Sequence, residues 1–280
     1  MSTVNAEPRP IAGLHLNGAT IMTTPTDSHL RIARDAGYAG VEVRAERLLG
    51  PAAREELRSA AAVARDEEVW SLNGIQVKVD ASGGLRRDLL DAELAPRLAV
   101  CEALHARYLL VVPPRVDAVD AAGALAGVAE GLARIRDAAG AVNVGVAFEF
   151  LGFADCPIDS PELATRVAEA VPGAELVIDS CHWHASGGAA LGDFPVNRLA
   201  MVHLNDAPAK PPRQIEDADR LLPGLGVIRL DELIGELTGR GYAGPWSLET
   251  FNPEYWSQDP SEVARRGRTL TEQVLEAAVA

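Results

Sequence analysis

Apolar positions along this chain follow two alternating periods. Short apolar runs occur near residues 11–16, 40–44, 69–75, 108–113, 144–150, 175–180, 200–206 and 245–250. Runs of this length, rich in Val, Ile, Leu and Phe, predict buried strands. Between them, apolar residues recur every third or fourth position, which predicts helices over about 26–37, 51–67, 87–106, 118–139, 160–171, 189–197, 230–240 and 259–278. Leu125, Val128, Leu132 and Ile135 share one helical face, as do Leu90, Leu94, Leu98 and Cys101. Pro51 and Pro161 suit first helical positions, the second behind a Ser160 cap, and Gly37, Gly140 and Gly241 fall where helices should stop.

Strands that alternate with helices pair in parallel through right-handed crossovers. Eight of each predict an α/β fold of one closed (β/α)8 TIM barrel rather than an open sheet. The 280 residues suit such a barrel as a single domain over 11–280, behind a polar tail over 1–10 that carries two prolines. No stretch rich in Pro, Gly or Ser divides the chain. The Pro-rich segment 207–213 follows a strand and reads as a loop at the barrel mouth.

Composition and charge narrow the function. The formal net charge of −14 argues against nucleic acid and anionic membrane as partners, because phosphate binding needs clustered Lys and Arg. No apolar run approaches the ~20 residues of a membrane span, and the first residues lack a leader pattern. Cys101, Cys156 and Cys181 are odd in number and show no Cys-x-x-Cys spacing, so a reduced, cytoplasmic protein is expected. Neither a dinucleotide fingerprint nor a phosphate-cradling loop is present. A monomer and a homo-oligomer both fit.

The chemistry sits where the predicted strands stop. Leu176, Val177 and Ile178 run into Asp179, with His182 and His184 just beyond. Strand five ends at Glu149, strand seven carries His203 with Asp206 beyond it, and strand eight ends at Glu249. Taken singly, a strand-end Glu is ordinarily a solvated rim residue, and a lone His in an apolar strand is ordinarily a hydrogen-bonded core residue. Together they fall at one structural position in consecutive strands, at the end of the barrel that carries active sites. Crowded carboxylates repel one another, and a divalent cation removes that penalty. Glu149, Asp179, His203 and Glu249 therefore predict one divalent metal site. Three oxygen donors and one nitrogen favour Mn2+, with Co2+, Zn2+ or Mg2+ as alternatives. For Asp206, helix capping or loop bonding stands beside substrate contact. Cys181 reads as a small packing residue.

These residues and their surroundings resemble the xylose-isomerase-like (sugar phosphate isomerase/epimerase) TIM-barrel superfamily. Within it the chain looks most like the inosose (2-keto-myo-inositol) isomerases of bacterial inositol catabolism. The resemblance rests on Leu16-Asn17-Gly18-Ala19-Thr20, Gly40-Val41-Glu42-Val43-Arg44, Glu149-Phe150-Leu151-Gly152 and Asp179-Ser180-Cys181-His182-Trp183-His184. It extends to Asp219-Arg220, to Pro223-Gly224-Leu225-Gly226 and to Asn252-Pro253-Glu254-Tyr255-Trp256. It implies an isomerase or epimerase of a keto-cyclitol or keto-sugar in carbohydrate metabolism. The four-residue motif would hold the metal, and Glu149 and Glu249 would act as acid and base through a metal-stabilised enediolate. His182, Arg220, Asn17, Glu42 and Asn73 would hold substrate hydroxyls, and Trp256 with Tyr255 would stack on the ring. His184 would line the same pocket or orient His182, and Asp206 would touch the substrate or serve the loop. With no glycine-rich turn or Arg/Lys pair at strand ends seven and eight, the small polyol substrate is expected to be unphosphorylated. A metal-dependent lyase or dehydratase on such substrates, including one that cleaves 3-keto-glycosides, is the alternative. DNA-repair endonucleases of this fold use three zinc ions and a larger His/Glu set, which the six histidines here do not match.

Overall fold

A computed structural model describes residues 13–279 apart from 117, 118 and 120. The expected tail over 1–10 lies outside the described residues. The chain runs β1 (Leu14–Asn17), α1 (Thr26–Asp35), β2 (Gly40–Arg44), α2 (Ala45–Leu48), α3 (Arg54–Ala61), β3 (Val69–Gln76), α4 (Arg87–Leu104) and β4 (Tyr108–Val112). It continues α5 (Ala121–Gly140), β5 (Gly145–Glu149), α6 (Pro161–Ala170), β6 (Glu175–Asp179), α7 (Ser180–Ala185) and β7 (Leu199–Leu204). It ends with α8 (Leu230–Gly239), β8 (Trp246–Leu248), α9 (Pro253–Trp256) and α10 (Pro260–Val279). The eight strands close into a parallel barrel in sequence order, with β1 sealed against β8 through Leu14–Trp246, His15–Ser247 and Leu16–Leu248. Among the described residues no helix is long and apolar enough to cross a membrane.

The helices cover the outside of the barrel. Leu16, Val41, Val43, Leu109, Val111, Phe148, Ile178 and Val202 point outward and pack with Leu30, Leu90, Leu132, Val167 and Leu233 into one continuous core. The opposite strand parity points inward. Its lower layer is a small apolar plug of Tyr108, Leu110, Ala147, Val177 and Met201 with Trp70 against it. Two residues on, the same parity carries Glu149, Asp179 and His203. Strand period therefore sets both the plug and the polar layer above it.

One predicted helix is corrected. Residues 189–197 form no α-helix; α7 instead begins directly after β6, and only a 3-10 turn covers Val196–Arg198. Gly187, Gly188 and Gly192 all take positive φ, which interrupts helical bonding, and Pro195 follows. Asp179 starts α7 by accepting a hydrogen bond from the His182 N–H at 2.8 Å. The helix expected over 51–67 is a 3-10 turn at Pro51–Ala53 followed by α3.

Candidate functional site

Glu149 closes β5, Asp179 closes β6, His203 lies one residue before the end of β7, and Glu249 follows β8 directly. All four are buried, and one donor atom from each lies within 4.8 Å of the others. Nδ1 of His203 stands 2.9 Å from Oε1 of Glu149 and 3.4 Å from Oε2 of Glu249. Three carboxylates in so small a buried volume repel, and the charge has to be answered. Burial, with Glu149 and Asp179 adding to it, pushes the Glu249 carboxyl up to about 7 even though His203 and Arg220 pull it down. Burial opposes the His203 imidazolium, but Glu249, Glu42 and Glu149 outweigh it and raise the ring well above its ordinary value. Burial likewise opposes the Asp179 carboxylate, and Arg220 and the neighbouring imidazoles hold it below its usual range all the same. Three anionic oxygens and one imidazole nitrogen at this spacing fit a borderline-hard divalent cation.

Above the cluster lies a cavity of about 340 Å³ whose lining includes Glu149, Glu249, His182, Arg220 and Asn73. Its volume is at the small end for ligand pockets. His182 is 2% exposed, and its Nε2 lies 3.0 Å from Nη2 of Arg220. A guanidinium only donates, so this Nε2 accepts and the ring proton sits on Nδ1. Burial also pushes the His182 imidazole down, which keeps it neutral. Arg220 spans the cluster: Nη1 is 3.1 Å from Oδ2 of Asp179 and 2.9 Å from Oε2 of Glu249, and Nη2 is 2.9 Å from Asp217. Asn73 lines the cavity and donates to Glu42 at 3.2 Å, while its Oδ1 has no partner among the described residues.

The other residues expected to touch substrate are placed elsewhere. Glu42 and Asn17 are fully buried beneath the cavity floor. Nδ2 of Asn17 bridges Glu42 at 3.2 Å and Glu249 at 2.9 Å, and Glu42 faces His203. Asp206 is turned into the loop after β7. Its two oxygens accept from the N–H groups of Ala207, Gly224, Gly226 and Ile228, so this carboxylate organises that loop. Trp256 is spent on a 2.8 Å hydrogen bond from Nε1 to the Ala19 carbonyl, and Tyr255 receives the Leu222 N–H on its hydroxyl. His184 does not line the cavity: residues two apart on a helix point to opposite sides, and α7 carries both histidines.

Several lining residues were not anticipated. Phe251 lies under the guanidinium groups of Arg44 and Arg220 at 5.0 and 5.2 Å. Phe153 packs edge-on against His182 at 4.9 Å and under Arg115 at 4.0 Å. Gln76, at the end of β3, Lys78 just beyond it and Arg97 also line the cavity. Strand parity was a usable signal for Phe251, two residues past Glu249, but not for Gln76 and Lys78, because the register of β3 shifts between Leu72 and Ile75 and reverses the alternation set by Ser71 and Asn73. Nothing in the local sequence marks Arg97, which reaches in from α4.

The profile of a family described as xylose isomerase-like TIM barrel matches residues 30–273. An inosose isomerase of Halalkalibacterium halodurans is 31% identical over 148 residues, which is 51% of this chain and 52% of that protein. One of Bacillus velezensis is 29% identical over 189 residues, 66% of this chain and 68% of its own length. The match thus spans about half the length of the first of these relatives. Among solved structures, the IOLI protein with a bound zinc atom superposes with a TM-score of 0.82 at 23% identity, covering 95% of this chain and 99% of that one. A D-psicose 3-epimerase of Clostridium cellulolyticum with D-tagatose gives 0.69 at 16% identity, covering 94% and 99%. At these identities the structural likeness shows the fold alone.

Proposed function

The chain belongs to the xylose isomerase-like TIM barrel family, and from that premise we propose that it is a divalent-metal-dependent isomerase or epimerase of a keto-cyclitol or keto-sugar. The observation that carries this reading is the placement of Glu149 and Glu249. Both belong to the four-residue metal cluster and both line the same cavity, so two carboxylates face one bound substrate. Relatives named inosose isomerase make a keto-inositol the first substrate to try.

Glu149, Asp179, His203 and Glu249 would hold the cation, which when bound withdraws electron density from a ketone oxygen and acidifies the neighbouring C–H. Mn2+ is the ion we favour for this oxygen-rich set, with Co2+, Zn2+ and Mg2+ as alternatives. One of the two glutamates takes the α-proton and leaves an enediolate. Returning a proton to the other carbon moves the ketone, and returning it to the opposite face epimerises. Neutral His182 offers its Nδ1–H to a substrate oxygen, held in that tautomer by Arg220. Arg220 itself balances the carboxylates Asp179 and Glu249. Phe153 and Phe251 give the ring apolar faces to lie against, and Asn73 presents an unpartnered carbonyl oxygen to a hydroxyl.

The test is incubation of the Mn2+-loaded protein with 2-keto-myo-inositol in deuterated water. The expected result is an isomeric ketone carrying solvent deuterium at one carbon, abolished by a chelator and restored by Mn2+. An unsaturated ketone as product would instead establish the elimination chemistry of a lyase. Turnover that persists after complete metal removal would overturn the reading.

A further inference from the structure

We propose that Glu42 is a positioning residue for His203: its carboxylate fixes the ring and its tautomer so that Nδ1 is the atom presented to the metal. This rests on the metal reading above and extends it to a residue outside the ligand set. Glu42 points inward from β2, is 0% exposed, and does not line the cavity although its neighbours Arg44 and Asn73 do. It therefore has no route to substrate. Its oxygens are instead filled by donors from five other positions around the barrel. Nδ2 of Asn17 and Oγ of Ser247 reach Oε1, while Oγ of Ser71, at 2.5 Å, and Nδ2 of Asn73 reach Oε2. The fifth donor is Nε2 of His203, 3.0 Å from Oε1 and 3.2 Å from Oε2.

The direction of these bonds settles the chemistry. Amide nitrogens only donate, and a carboxylate surrounded by donors on both oxygens is held as the anion. An anion only accepts, so Nε2 of His203 must carry a proton. Because Nε2 stays committed to Glu42, the nitrogen that gives up its proton and offers its lone pair when a cation enters the cluster is then Nδ1. That atom faces Glu149 at 2.9 Å and Glu249 at 3.4 Å, inside the ligand cluster. The ring is clamped on both edges across the barrel, from β2 to β7. A histidine whose second nitrogen donates to a carboxylate is fixed in orientation and is a stronger base toward a metal. Asn17 extends the arrangement: one amide ties the positioning carboxylate to the ligand carboxylate Glu249. Burying a charge here has a cost, and the donors on Glu42 offset it.

The experiment measures Mn2+ dissociation constants of the full chain by competition with a fluorescent chelator, for wild type, Glu42→Gln and Glu42→Asp. Folding is checked by far-UV circular dichroism. Glu42→Gln is expected to bind Mn2+ roughly 10- to 100-fold more weakly, because the neutral amide no longer fixes or polarises the ring. Glu42→Asp keeps the charge but withdraws it by one methylene, and is expected to fall between. If the Gln variant fails to fold, the Asp variant decides. Selective 15N-histidine NMR of the Zn2+-loaded wild type adds a readout that general destabilisation does not move: Nε2 of His203 should be the protonated nitrogen. Unchanged Mn2+ affinity in a folded Glu42 variant, or a protonated Nδ1, overturns the positioning role while leaving the metal site standing. A wild-type chain that binds no divalent ion overturns the metal reading and the positioning role together.

Discussion

Nη1 of Arg220 stands 2.9 Å from Oε2 of Glu249, beside the buried carboxylate cluster, on a side chain only 2% exposed. The same nitrogen reaches Asp179 at 3.1 Å, so one guanidinium answers two of the three clustered carboxylates. Removing one member of a buried charged set leaves the others uncompensated, at a cost of about 3–5 kcal/mol. Arg220→Met should therefore lower the stability of the metal-free protein by roughly that amount. Excess Mn2+ should recover part of the loss, since a cation in the cluster answers the same carboxylates. Urea unfolding with and without Mn2+ checks this, and a loss that metal does not relieve would refute the electrostatic account. Activity should stay low even with metal bound, because His182 loses the donor that sets its tautomer.

Glu149 and Glu249 both face Nδ1 of His203, and they should fail differently. Either substitution to Gln is expected to lower kcat roughly 100- to 10,000-fold, the range for losing a positioned acid or base. In the variant that keeps the proton-abstracting carboxylate, the substrate α-hydrogen should still exchange with deuterated solvent without forming isomer. In the other variant exchange should stop as well. Proton NMR of the recovered substrate separates the two, and equal exchange in both would mean that the acid and base are not divided between these residues.

The four clustered positions were legible because strand parity and strand ends are local properties. Ala147 and Glu149, Val177 and Asp179, and Met201 and His203 each step by two from the apolar plug to the polar layer. What escaped was direction beyond the strand ends. For Asp206 the sequence leaves loop bonding and substrate contact side by side, and only the structure shows the chain turning back after β7 so that four backbone N–H groups close around it. Spacing in the sequence favours His182 over His184 as a pocket residue, and α7, which begins at Ser180, turns the two to different sides. Glu42 reads as a substrate contact from its strand-end position. Its burial and its pairing with a histidine five strands further along the chain are tertiary facts.

Asp206 offers a test of that distinction. Its substitution by Ala would leave the N–H groups of Ala207, Gly224, Gly226 and Ile228 without their acceptor. Buried unsatisfied donors are costly, and partial solvation of the loop will relieve some of them, so a destabilisation of about 2–4 kcal/mol is expected. Mn2+ affinity should be little changed, because Asp206 is not among the cluster residues. A large drop in metal affinity with unchanged unfolding free energy would show that the carboxylate serves the site directly.

Acid stability should be governed in part by His29, which is not part of the carboxylate cluster. It lies in α1, is 3% exposed, and hydrogen-bonds through Nε2 to the Leu16 carbonyl at 3.1 Å. Burial pushes this imidazole down to about 4. Above the ordinary histidine value of about 6.5 neither the folded nor the unfolded state binds the proton, so His29 has no pH effect there. Between that value and about 4 the unfolded state takes up a proton that the folded state refuses. Stability therefore falls as pH falls through this window, and the contribution levels off below it. His29→Gln keeps an amide donor for the Leu16 carbonyl but does not titrate. Between pH 7 and pH 4 the variant should lose less stability than the wild type, by on the order of 3 kcal/mol. Urea unfolding of both proteins across that range measures the difference directly. Parallel pH profiles for the two would mean that the buried imidazole does not control the acid limb.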